Sequence, residues 1–423
     1  MGKQIPENER SVKLRLSSLA GAAIAAALLL LLWYGRNPDT VTLSIVGNAI
    51  VSPAGTDSTY YMQMGESAFR SGHRIYPELF FTDHQKFIYP PTSLFLIEGL
   101  NLFGAHGLSS ELVWKGFLLL AWAGCIVLGV LFYRMQRPHA RLVELAAVAV
   151  LGVLFLPFAE AWLRGQVQIL LTLLWEFSAL LWVLRKRGSA GFVLALTCMF
   201  KPQLAIFLLW GVLRREWRFT TTFVVTCGVL LACSIARFGV QNHLDYLPVL
   251  GYLSHHGEAL WANQSMNGLL NRLLRNGDPV SWSYTVYPSY KPLVYVVSTC
   301  FSALLLIAGL FLPTFLGWAG TIADFLLFGC VAVLMSPIAW EHHYGYFFFP
   351  VVLLLAAANR LPRNAWLLLC ACVLGIANRW PPLDHRQQGV VSLAGDYLFF
   401  AGIVVCCLLC VYASQLFREN QIT

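Results

Sequence analysis

Residues 318–358 read WAGTIADFLLFGCVAVLMSPIAWEHHYGYFFFPVVLLLAAA. Two apolar runs, Trp318 to Met335 and Gly345 to Ala358, flank SPIAWEHHY at 336–344, so a carboxylate and two imidazoles stand where two hydrophobic segments meet. Apolar runs of this kind, broken here by the single charge of Asp324, are those of membrane spans, and ionisable groups at their mouths are costly to place unless they have work to do.

The rest of the chain has the same character. Of 423 residues 58% are hydrophobic and 12% charged, with a mean hydropathy of +0.64. A soluble domain needs a more charged surface than this, so the expected fold class is an all-α polytopic membrane protein forming a single integral domain over residues 1–423. The net charge of +8 lies in short clusters between apolar runs, a pattern that fixes orientation in a lipid bilayer and gives no reason to expect nucleic acid as a partner. The eleven cysteines all sit in apolar segments, which excludes a disulfide framework or a spaced zinc set in a polar loop.

The basic clusters map the topology. Lys3, Arg10, Lys13 and Arg15 precede an apolar stretch from Leu16 to Tyr34, read as a first span leaving the N-terminus in the cytoplasm. A first outer loop follows over residues 35–111. In it Asp57 or Ser58 is expected to cap a surface helix from Thr59 to Phe69, and Thr92 to Phe103 to form a second. Between the clusters at Arg185 to Arg187 and Arg214 to Arg218 lie only about 26 residues, too few for two straight spans. Residues 188–213 are therefore expected to be a broken helical hairpin, interrupted at Pro202, whose tip carries Lys201 into a cavity. A second long outer loop is expected over 239–290, and the count comes to about twelve crossings with both termini cytoplasmic.

On that map Asp57, Tyr89-Pro90-Pro91, RGQVQ at 164–168, Lys201 with Gln203, Asn263-Gln264-Ser265 and Glu341-His342-His343 all fall on the outer side. Each has a plain alternative. Asp57 can be a helix cap, Tyr-Pro-Pro a turn, Gln166 and Gln168 interhelical bonds, NQS a glycosylation triplet, and the histidines packing groups. Lys201 is the hardest to dismiss, because an ionisable residue within an apolar hairpin is a functional candidate by default. The EHH run lacks the two-histidine helical spacing of HExxH, and no carboxylate cluster calls for a divalent ion, so neither metal nor cofactor is expected.

The ordered set Asp57, YPP (89–91), GQVQ (165–168), KPQ (201–203), NQSMNGLLNR (263–272) and SPIAWEHH (336–343) resembles glycosyltransferase family 87, the polyprenyl-phosphate-mannose-dependent mannosyltransferases of the GT-C superfamily. One departure is Glu341, where Asp is the family form. The resemblance implies a GT-C-type helix bundle with amphipathic juxtamembrane helices in the first outer loop. It implies an enzyme that moves one sugar, mannose first among the candidates, from a polyprenyl-phosphate donor to a glycolipid or glycan acceptor, with inversion, on the outer face of a bacterial plasma membrane.

Asp57 would be the general base, and Lys201, His342, His343 and Arg164 would hold the donor phosphate. Tyr89, Gln166, Gln168, Gln203, Asn263, Gln264 and Glu341 would bind substrate, with Tyr60, Tyr61, Phe80 and Phe81 near the membrane interface. The competing classes are a lipid-linked glycan ligase or polymerase and, without visible inverted repeats, a transporter.

Overall fold

The computed structural model describes residues 55–102, 108–377 and 388–422. The expected first span, residues 35–54 of the first outer loop and most of the loop after Ala377 lie outside them. Among the described residues there is helix and no strand. Only an isolated antiparallel bridge pairs Asn263 with Trp340.

Among the described residues five helices are long and apolar enough to cross a membrane: Leu112–Gln136, Leu142–Leu163, Trp217–Phe238, Pro292–Phe315 and Tyr397–Glu419. Shorter apolar helices, among them Gln168–Val183, Ile322–Leu334 and Arg363–Ile376, pack between them. Helices Trp217–Phe238 and Pro292–Phe315 present Val225, Val229, Leu304 and Ile307 outward. An apolar face of that kind is the one a lipid environment requires, since every backbone group is satisfied within the helix. The protein is an integral membrane protein.

Several local outcomes depart from the sequence reading. Leu142–Leu163 is broken at Leu154–Phe155, because Pro157 cannot donate into the preceding turn and starts a new helix Leu156–Leu163 instead. The helix of the first outer loop begins at Asp57 itself, after Thr56, and no side chain caps it. The capping expectation for Asp57 and Ser58 is thereby corrected: Ser58 Oγ instead meets the Tyr89 hydroxyl at 3.0 Å and donates to Gln166 Oε1 at 3.1 Å. Phe80 is buried against Tyr252 and Tyr287.

Residues 187–213 form helix Arg187–Thr197, a turn, a 3-10 segment Pro202–Ile206 and helix Phe207–Leu213. Pro202, with no N–H to give, sits at the start of the 3-10 segment just after Lys201.

An aromatic cluster holds this unit to its neighbours. Trp175 and Trp182 stack on Phe325 at 5.0 and 5.1 Å, and Trp210 and Phe207 meet its ring at 5.3 and 5.4 Å. Between membrane helices such packing, and not water release, supplies the attraction. Beside it Arg214 is locked to Asp324 at 2.6 Å and donates to the Leu310 carbonyl at 2.7 Å. Trp210 Nε1 gives Asp324 a further hydrogen bond at 3.1 Å.

Candidate active site

Two glycines begin the site. Gly165 has φ +66°, a left-handed conformation that a side chain strains, and a Cβ there would stand 1.6 Å from the Gly55 carbonyl oxygen. A Cβ on Gly55 would in turn sit 2.5 Å from the Arg164 backbone. Because both positions are bare, the two backbones touch: Gly55 N–H donates to Leu163 O at 2.8 Å and Asp57 N–H to Arg164 O at 3.0 Å. This contact sets the first turn of helix Asp57–Arg70 against the RGQVQ segment, and Gln166 Nε2 donates to Asp57 Oδ2 at 3.3 Å. Tyr89, whose hydroxyl lies 3.3 Å from Gln166 Oε1, joins the same group from the YPP turn.

These residues line one cavity of about 630 Å³. Asp57, Tyr89, Arg164, Gln166, Gln168, Lys201, Gln203, Glu341, His342 and His343 all contribute to its wall, so ten of the twelve expected site residues converge from five separate stretches of sequence. Asn263 and Gln264 do not reach it. Asn263 Nδ2 donates to the carbonyls of Glu258 at 2.8 Å and Pro337 at 3.2 Å, while its Oδ1 accepts from Ala339 N–H at 2.8 Å. Gln264 Nε2 serves the Trp261 and Gly395 carbonyls at 2.9 and 3.0 Å. The NQS triplet thus staples the 258–265 segment to SPIAW from behind, and being buried it cannot be a glycosylation acceptor. Arg272, from the same motif, pairs with Asp396 inside the protein and donates to the Leu260 carbonyl at 2.7 Å.

The polar wall has two poles. At one, Lys201 lies with His342, His343 and Arg164; among the described residues no carboxylate comes within salt-bridge distance of Lys201. Burial pushes both imidazoles well below their ordinary value, and the nearby positive charges push the same way: Lys201 and Arg164 act on His342, Lys201 and then His342 on His343. Both influences favour the neutral imidazoles, and an anion brought among them would raise their proton affinity. Arg164 is oriented by Glu160, whose Oε2 accepts from its Nε at 2.9 Å. Asp57 stands between the poles. Its carboxyl is held above the usual carboxylate value by burial, partly offset by Arg164 and Gln166.

The second pole was not foreseen. Lys86 bonds Glu258 at 2.5 Å, both side chains almost fully enclosed, and its ammonium lies 4.1 Å from the Trp282 ring centre and 4.3 Å from that of Tyr287. A lone lysine three residues before Tyr89 was the only hint in the sequence, and nothing paired it with a glutamate 172 positions away.

A lysine, an arginine and two imidazoles, a carboxylate on the same wall and a second, aromatic compartment are a lining that suits transfer of a group away from an anionic leaving group. Comparison with known proteins agrees. The chain is 26% identical over 369 residues, 81% of its length and 82% of the relative's, to a polyprenol-phosphate-mannose-dependent alpha-(1-2)-phosphatidylinositol mannoside mannosyltransferase of Mycobacterium tuberculosis. Residues 87–337, more than half of the chain and all but the first and the last of the motifs set out above, match the family of such enzymes directly. The chain belongs to glycosyltransferase family 87 and is a membrane glycosyltransferase.

Proposed function

We propose that the protein transfers a single mannosyl residue from a polyprenyl-phosphate donor to a hydroxyl of a glycolipid or glycan, on the outer face of a bacterial plasma membrane. The supporting observation is the charge pattern of the cavity: Lys201, with no carboxylate partner among the described residues, shares its wall with the His342 and His343 imidazoles, Arg164 and Asp57. A lysine in such a site is costly to keep charged without a counter-ion, and a bound phosphate removes that cost. The relative's use of polyprenol-phosphate-mannose supports the choice of donor.

In this reading the acceptor oxygen attacks the anomeric carbon while the bond from that carbon to the phosphate oxygen breaks. The electron pair leaves with the phosphate, where Lys201, Arg164, His342 and His343 receive the growing charge. The acceptor proton passes to Asp57, held by Gln166. A single displacement inverts, so a β-linked donor gives an α-linkage. Tyr89, Gln168, Gln203 and Glu341 complete the polar wall around the donor sugar, and Asn263 and Gln264 act by holding the SPIAWEHH loop in place. Topologically the reading takes about twelve crossings with both termini in the cytoplasm, residues 188–213 entering and leaving by one face, and the cavity opening outward.

The test is transfer of labelled mannose from polyprenyl-phosphate-mannose to a membrane lipid extract by purified protein. Product with an α-linkage is expected. No turnover of that donor by the wild type, with turnover of another polyprenyl-phosphate sugar, would overturn the choice of mannose; no turnover of any would overturn the donor class.

A further inference from the structure

The proposed reaction leaves half of the cavity without a task, and that half is ordered by its neighbours. Tyr61, four residues after Asp57 on the same helix, is close enough to feel both Asp57 and Tyr284. Tyr287 in turn packs on Tyr252, with ring centres 5.4 Å apart, and feels Glu258 and Tyr61. Asp57 is thus joined to Arg164 and Gln166 directly and, through Tyr61, to the aromatic compartment.

That compartment is roofed by residues 278–290, a strap without regular helix. Its ends are tied down by Trp261 N–H donating to the Pro279 carbonyl at 2.8 Å and by Asn276 Nδ2 donating to the Ser289 carbonyl at 2.8 Å. Its middle is held by Lys86, which Glu258 fixes beneath the rings of Trp282 and Tyr287. Trp282 also packs edge-on against Trp340 of the SPIAW loop, with ring centres 5.4 Å apart. Although restrained on these sides, Trp282 remains 37% exposed and Tyr284 59%, and both line the cavity.

In a direct displacement the leaving group and the attacking oxygen occupy opposite sides of the anomeric carbon, and the base sits on the attacking side. With the phosphate at Lys201 and the base at Asp57, the acceptor has to approach from the side of Tyr61 and Tyr284. Aromatic faces carry negative charge density and pack against the electropositive C–H face of a pyranose, leaving its hydroxyls free at the ring edge. We propose that Trp282 and Tyr284 form the acceptor subsite, stacking on the sugar that receives the transferred residue. Lys86, fixed by Glu258, is a positioning residue that presents Trp282. This rests on the donor assignment above for its direction, but not for the presence of the sugar site itself.

Two measurements separate the two ideas. The first is initial-rate kinetics of labelled mannose transfer from polyprenyl-phosphate-mannose to octyl α-mannoside, varying each substrate. Trp282→Ala is expected to raise the acceptor KM by about tenfold or more, the scale of a contact aromatic, with the donor KM within about twofold. Trp282→Phe should recover most of the loss, and Lys86→Met should raise the acceptor KM while the donor KM stays. Parallel rises in both KM values, or no change in either, would overturn the subsite.

The second is saturation-transfer NMR of methyl α-mannoside with the full chain in nanodiscs, which needs no turnover. Saturation of the pyranose protons by the wild type, lost in Trp282→Ala, supports the subsite even should the donor assignment fail. No saturation by the wild type, or saturation that survives in Trp282→Ala, overturns it.

Discussion

Replacing Asp57 by Asn separates the two roles open to this residue. As a helix cap it would contribute stability, and as a base it would contribute rate. The side chain makes no capping hydrogen bond, and the Asp57 N–H to Arg164 O contact belongs to the backbone and survives the change. What is lost is the attraction of Arg164 and the charge on one long hydrogen bond from Gln166, the latter a net effect of roughly 0.5–1.5 kcal/mol, and a favourable charge at a helix N-terminus, about 0.3–1 kcal/mol. Against these stands relief of a buried carboxylate.

Its pKa in the folded protein lies above the unfolded value, so ionisation disfavours the fold. Asp57 thus costs stability above its folded pKa, and the cost disappears as pH falls through that value. Near neutral pH the terms largely cancel, and the melting temperature of Asp57→Asn should stay within a few degrees of wild type. Loss of a positioned general base costs about 10²–10⁴ in rate, equivalent to about 3–5 kcal/mol of activation free energy. Transfer from polyprenyl-phosphate-mannose by purified protein, measured across pH 4–8, reads both. Wild-type kcat/KM should show an acid limb displaced above the ordinary carboxylate range, and the variant's residual rate should lack it. A variant keeping more than a tenth of wild-type activity, or a wild-type limb at an ordinary carboxylate value, would refute Asp57 as the base.

Further outcomes follow from the same geometry. Lys201→Met should lower kcat/KM by about 10²–10³, the effect of removing one preorganised group from a developing charge, and should abolish retention of polyprenyl phosphate in a binding assay; retained binding would show the phosphate lies elsewhere. At pH near 6, calorimetric titration with polyprenyl phosphate in buffers of differing ionisation enthalpy should show proton uptake, since His342 and His343 are held neutral by burial and nearby cations until an anion arrives. Without ligand, those depressed values mean stability falls as pH drops below the unfolded histidine value, where unfolded imidazoles take up protons that the folded ones resist. Asp324→Ala, which strands Arg214 in the interior, should destabilise by about 3–5 kcal/mol, read as a lowered melting temperature; a shift of less than a degree would show the pair contributes nothing. Gly165→Ala should fail to accumulate as folded protein, because its Cβ meets the Gly55 carbonyl.

How much was legible depended on how local the information was. Hydropathy and the proline after Lys201 are carried by neighbouring residues, so the helical class and the break in 188–213 could be read directly. The close contact of Gly55 with Gly165 could not, since each glycine alone is an ordinary loop residue and only their pairing at backbone distance makes both necessary. The same limit hid Lys86 and Glu258. The sequence assigns Asn263 and Gln264 to substrate because they stand in a motif with other polar residues, yet the structure commits their amides to carbonyls of the wall. Motif membership marks a residue as part of the site's construction without saying which side of the wall it faces.

The charges themselves give a criterion for telling the sides apart. Arg214 with Asp324 and Arg272 with Asp396 are enclosed ion pairs whose guanidiniums also donate to backbone carbonyls. Such charges are satisfied before any substrate arrives, and their removal is expected to register in stability. Lys86 is likewise satisfied, by Glu258, but it spends its outer face on two rings at the cavity mouth, so its loss should register through those rings and in acceptor KM. Lys201 has no such partner among the described residues. In a low-dielectric site the missing counter-ion is a standing cost, and a group that carries such a cost is the one whose compensation depends on a ligand. The three classes of cation should therefore separate experimentally into changes of melting temperature, of acceptor KM and of donor binding.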